Sequence, residues 1–160
     1  IQTLVSYNYG SRRKDRVNKF LTLWLIFNIS YALIVIIIFL TKSDIIIELF
    51  NKDNEKLRLL TSQNILKYFS ATIFTGINVV IATYIQAQGQ GKASSVIMFF
   101  RAFLLMVIGV IVLSKCFGID GVWYTTLFSE VVTFIGLMIW MKLYKKNWEW
   151  HKTVTLLRYY

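Results

Sequence analysis

The 160 residues contain no proline, one cysteine and one histidine. With only Cys116 present, no internal disulfide framework can form. Cys116 and His151 together are too few for a zinc site of the usual Cys/His sets. They also leave no Ser/His/acid or Cys/His arrangement for nucleophilic catalysis, so nothing supports a hydrolase or a transferase, and the chain reads as no enzyme. Charge is scarce too: 16% of residues are Asp, Glu, Lys or Arg, where a soluble domain carries about 25%. Hydrophobic residues make up 56%, which excludes intrinsic disorder and argues against an ordinary soluble domain. Acids are the scarcer sign, 8 against 18 Lys and Arg, for a net charge of +10. The chain opens at Ile1 inside an organised segment, so it reads as the C-terminal part of something longer.

What is present is apolar length. A bilayer core about 30 Å thick needs a helix of about 20 mostly apolar residues. Residues 20–41 and 68–91 carry no charge, 93–114 carry only Arg101, and 121–141 carry only Glu130. Four such runs would leave a small soluble protein almost no polar surface, so they read as four transmembrane helices. Their Ile and Val could belong to strands, but they lack the alternation of a barrel strand. The expected fold is therefore an all-α integral membrane bundle.

The connections hold the charge. Arg12, Arg13, Lys14, Arg16 and Lys19 precede the first run, and Lys92 and Arg101 lie around the second connection. Lys142, Lys145, Lys146, Lys152 and Arg158 follow the last run. The only acids on this side are Asp15 and Glu149, while basic and acidic residues nearly cancel on the other. The positive-inside rule then places the N-terminal segment, the second connection and the C-terminus in the cytoplasm of a cell membrane. The basic excess marks topology and contact with anionic lipid heads, not a nucleic-acid surface. The tail at 142–160, with Trp148, Trp150 and His151, is expected to lie in the interface. The connection 42–62 is expected to rest on the outer surface, with 45–50 as a short helix. Richness in Ile, Lys, Asn, Phe and Tyr points to AT-rich coding and so to a bacterium.

Polar residues inside the runs are the candidates for function. Glu130 is nine residues from Gly121 and eleven from Met141, near mid-depth, where a charge costs several kcal/mol. It must face the bundle interior, be paired, or carry a proton. The first two describe a structural role, the last a proton-coupled carrier. Arg101 is the candidate partner, since the two depths differ by about 6 Å on straight helices. Arg101 could equally snorkel to lipid phosphates. Asn78 and Gln86, eight residues apart, are read as sharing one face of the second run. Such a face lines a cavity or makes interhelical hydrogen bonds. The sequence Gln88-Gly89-Gln90-Gly91-Lys92 lacks phosphate-loop spacing and reads as a turn. If some of the many aromatics face a cavity, they suit amphipathic cations.

Three segments add a resemblance. Ser6-Tyr7-Asn8-Tyr9-Gly10, followed by Arg16, resembles the segment closing the eighth helix of multidrug and toxic compound extrusion (MATE) transporters. Gln86-Ala87-Gln88-Gly89 with Arg101 looks like that family's turn from the tenth to the eleventh helix. Phe117-Gly118-Ile119-Asp120-Gly121-Val122-Trp123, with Glu130, resembles the start of its twelfth. The resemblance implies the end of helix eight at residues 1–10 and then helices nine to twelve. That is most of one six-helix bundle in a twelve-helix, two-bundle antiporter that exports cationic drugs by alternating access. It implies proton or sodium as coupling ion, no other cofactor, and the N-terminal bundle of the same protein as partner. Family members often carry proline where Ile108 and Leu127 stand here, so any kink must come from Gly109 or other residues. No acid occupies the segment resembling the tenth helix, so the sodium site that some branches place there does not carry over. Two alternatives stay open: a lipid-linked oligosaccharide flippase of the same superfamily, and a membrane fragment that does not transport.

Overall fold

Long uncharged runs without proline leave nothing to interrupt helical hydrogen bonding, and a backbone in lipid must satisfy its own polar groups. The computed structural model describes residues 1–50 and 55–143, and shows helices α1 (Gln2–Gly10), α2 (Lys14–Phe50), α3 (Glu55–Phe69) and α4 (Thr72–Ala87). These are followed by α5 (Gly91–Phe99), a π turn (Phe100–Leu104), α6 (Leu105–Phe117) and α7 (Ile119–Leu143). No strand occurs among the described residues. Lys14–Leu49, Gly91–Phe117 and Ile119–Lys142 are each long and apolar enough to cross a membrane. The α3–α4 pair, bent by 40°, adds a fourth when taken as one span. The chain is thus an all-α membrane protein.

The boundaries differ from the expected ones in two places. The connection foreseen at 42–62 is helical from both sides: α2 bends at Lys42 (φ −131°, ψ 17°) and runs on to Phe50, and α3 begins at Glu55. The bend falls where the uncharged run ends. The run 68–91, foreseen as one span, is broken near its start at Ser70 and Ala71. There Ser70 Oγ donates to Lys67 O at 2.7 Å and Thr75 Oγ1 to Ala71 O at 3.1 Å. Hydroxyls that bond back to the preceding turn often bend helices, and the break here coincides with two of them. The expected interfacial tail lies outside the described residues beyond Leu143.

α6 ends at Gly118, whose φ of 61° suits a residue without a Cβ and turns the chain straight into α7. Three residues later Gly121 is buried against α6, and a Cβ there would strike the Leu113 carbonyl. Gly121 heads a stripe along α7, with Thr125, Ser129, Thr133, Leu137 and Met141 following at every fourth residue, all buried. Small residues at helical spacing let backbones approach closely, which is how helices associate where lipid removes the hydrophobic drive. Large apolar side chains point outward instead, among them Ile34, Ile37, Phe103 and Ile139. The interior correspondingly holds Asn8, Asn18, Asn64, Asn78, Ser94, Thr125, Ser129, Glu130 and Thr133.

Two apolar clusters tie the helices together at the basic end. Val5, Val17, Leu21, Val80, Tyr84 and Ala87 join α1, α2 and α4, and Ile81, Ile85, Leu137 and Met141 join α4 to α7. Ser6 Oγ donates to Ala87 O at 3.2 Å, and Tyr84 Oη to Asn18 Oδ1 at 3.3 Å. At the opposite end Lys67 of α3 pairs with Asp120 of α7 at 2.7 Å.

Candidate functional site

The residues singled out by their cost in a membrane come together where α4, the π turn and α7 meet. Glu130 is 4% exposed, and its Oε1 accepts from Arg101 Nε at 2.8 Å. Its Oε2 accepts from Asn78 Nδ2 at 2.8 Å, and the same amide nitrogen donates to Glu130 O, also at 2.8 Å. The carboxylate is therefore held on both oxygens by groups from two other helical segments. Arg101 Nη1 reaches Met98 Sδ at 3.5 Å. Of the two readings of Arg101, pairing and snorkelling, the structure shows pairing.

Desolvating a charge pair costs several kcal/mol per ion, and the pair persists where further hydrogen bonds satisfy the remaining lone pairs. Asn78 supplies them. Its own Oδ1 is buried with no partner among the described residues. The exposed pair Lys67–Asp120 is different: Asp120 is 57% exposed, and ion pairs in such settings contribute about 0–1 kcal/mol. Lys67 Nζ also donates to the buried Asn64 Oδ1 at 2.7 Å and lies 5.5 Å from the Tyr124 ring centre.

Gln86 does not join this group. It is exposed near the end of α4, while Asn78 is 1% exposed. Eight residues at about 100° each leave two side chains about 80° apart around the helix and about 12 Å apart along it. That offset separates an interior position from a surface one. Of the residues carrying the family resemblance, Asn8 is buried and donates through Nδ2 to Leu4 O, whereas Tyr7 and Tyr9 are exposed. Gly10 and Arg16 are exposed as well. Gly121 is buried at the α6–α7 contact, and Trp123 is half-buried.

Ser129 was not among the residues read from sequence, yet it touches the site. Its Oγ donates to Arg101 O at 2.7 Å. The signal available in the sequence was its place in the i, i+4 series from Gly121 to Thr133, which composition and charge do not reveal. A cavity of about 620 Å3 opens elsewhere, at the Lys67–Asp120 end, between Leu113, Tyr124 and Phe128. Glu130 is not part of its wall. No group of three His, Cys, Asp or Glu that could hold a metal ion occurs among the described residues.

Residues 1–111 match the family model described as MatE. That stretch contains Asn78 and Arg101 and ends before Glu130. No curated protein and no solved structure matches the chain.

Proposed function

The chain belongs to the MatE family of membrane transporters, and on that premise we propose that it forms the C-terminal helices of a cation-coupled antiporter. The full protein would export amphipathic organic cations from the cytoplasm by alternating access, with the N-terminal bundle completing the cavity wall. The family is one of transporters and not of enzymes. The positive-inside distribution supports a cell-membrane orientation with the basic end cytoplasmic.

The observation that carries the proposal is the ion pair between Arg101 and Glu130, with side chains 14% and 6% exposed, at the middle of the spans. An intramembrane acid held by a cationic side chain offers a coupling ion a place to compete. A proton or a sodium ion that takes the charge of Glu130 frees Arg101, and removal of that ion restores the pair. The two pairings differ in which helices they hold together, so ion binding and helix arrangement become linked. Asn78, bonded to the same carboxylate, keeps it oriented in either state. Amphipathic cation export is tested in vesicles containing the full-length transporter, by imposing a proton gradient or a sodium gradient and following a fluorescent organic cation. The proposal requires that one of the two gradients drive movement, and that Glu130→Gln abolish the drive. Movement that needs neither gradient would overturn it.

A further inference from the structure

The helix that carries Arg101 is not an ordinary α-helix where it passes Glu130. Between α5 and α6 the Leu105 amide donates to Phe100 O, five residues back, instead of to Arg101 O, four back. The Arg101 carbonyl thereby loses its usual donor, and the Ser129 hydroxyl of α7 donates to it at 2.7 Å. The next residue on α7, Glu130, holds the Arg101 side chain at 2.8 Å. Two consecutive residues of one helix thus grip the backbone and the side chain of one residue in the π turn of another.

The π turn also sets which face of α6 meets α7. In an unbroken α-helix at about 100° per residue, Gly109 would lie about 80° round from Arg101. The residue absorbed by the π turn removes about 100° from that, leaving Gly109 about 20° from Arg101, on the same side. Gly109 is in fact buried against α7, where an added Cβ would stand 2.9 Å from Thr125 Cγ2 and 3.1 Å from Phe128 Cδ1. If the turn relaxed to α-helix, the position about 20° from Arg101 would fall to Ile108, now 41% exposed. A contact already tight for a single methyl would then have to take a branched side chain, so α6 would have to move off α7.

We propose that Ser129 is a positioning residue which, with Glu130, holds the π turn. Loss of either grip lets the turn relax, rotates α6 by about one residue and parts it from α7. In its link to transport this rests on the reading of Glu130 as the coupling acid. It turns the loss of one ion pair into displacement of a 13-residue helix.

The test reads helix rotation and needs no transport. Nitroxide labels are placed singly at positions 105–108 and 110–113 of the chain in lipid nanodiscs, with the exposed Cys116 replaced by Ser. Collision with dissolved oxygen then gives a periodic accessibility profile. The wild-type profile is expected to have its minimum at position 109. In Ser129→Ala and in Glu130→Ala the phase is expected to shift by about 100°, moving the minimum to 108. Ser129→Thr keeps the hydroxyl and is expected to keep the wild-type phase. An unshifted profile in Ser129→Ala, or a shift in Ser129→Thr as large as in the alanine variant, overturns the role of Ser129. An unshifted profile in Glu130→Ala overturns transmission from the carboxylate. A shifted phase together with ion-independent export would leave this inference standing and remove the coupling function proposed above.

Discussion

Arg101 and Glu130 are paired, but they are not equally able to survive alone, and that asymmetry makes a quantitative prediction. Glu130 is short, 6% exposed as a side chain, and lies in the middle of α7. When Arg101 is cut to Ala, the acid is left in the interior with Asn78 as its one bonded side-chain partner among the described residues. Breaking a buried pair this way costs about 3–5 kcal/mol. Glu130→Gln is milder. Arg101 is on a long, partly exposed side chain that can withdraw toward the basic end, and the amide oxygen still accepts one of the two hydrogen bonds. Its cost is about 1–3 kcal/mol, set by the bond that is lost. Combining the two changes removes both charges, so the double variant is expected to be more stable than Arg101→Ala alone. The cycle should show a coupling of about 2–3 kcal/mol, at the upper end for residues in contact. Reversible unfolding of the purified chain in mixed micelles of increasing SDS fraction measures all four species. Single effects that add to the double within about 0.5 kcal/mol would refute a direct interaction in the folded bundle. A larger loss in Glu130→Gln than in Arg101→Ala would refute the asymmetry.

Three further outcomes follow from packing and exposure. Gly121→Ala places a Cβ against the Leu113 carbonyl, a backbone atom that cannot rotate away, and is expected to cost about 1–3 kcal/mol in the same unfolding assay. Lys67→Ala removes an exposed ion pair and the Nζ bond to Asn64; in mixed micelles the ion-pair part is expected to be about 1 kcal/mol or less and to shrink as salt rises. Gln86→Ala, at an exposed site apart from Glu130, is expected to leave the unfolding midpoint and the Arg101–Glu130 coupling unchanged, as a double-mutant cycle with Arg101 can check.

The fold class was legible because a membrane imposes a length rule, and the four apolar runs, two uncharged and two with a single charge each, obey it. The interruptions inside the runs were less so. Uncharged length does not show where hydroxyls such as Ser70 and Thr75 bond back to the backbone and bend a helix. Nor does it show where one residue is absorbed into a π turn. No proline stands in the chain, and the irregularity of this span lies instead at the π turn Phe100–Leu104. Arg101 and Glu130 stood out because each is the one charge in its run, and their depths could be compared from helix rise alone. Asn78 and Gln86 are both polar amides at nearly helical spacing, and the remaining 80° offset divides them between interior and surface. Ser129 is a small polar residue among many, and its role depends on a carbonyl of another helix that only the three-dimensional arrangement leaves without its usual donor.

The central claim is that Glu130 is where the coupling ion acts. Difference infrared spectroscopy of the chain in bilayers tests it most directly, with the Glu130 carboxyl band assigned by its loss in Glu130→Gln. The account predicts that this band changes when protons or sodium ions are added, and that the arginine bands change with it as Arg101 is released. A Glu130 band that stays constant across proton and sodium titrations, in a chain whose helices remain intact, would contradict the account and leave the pair as a structural fastening.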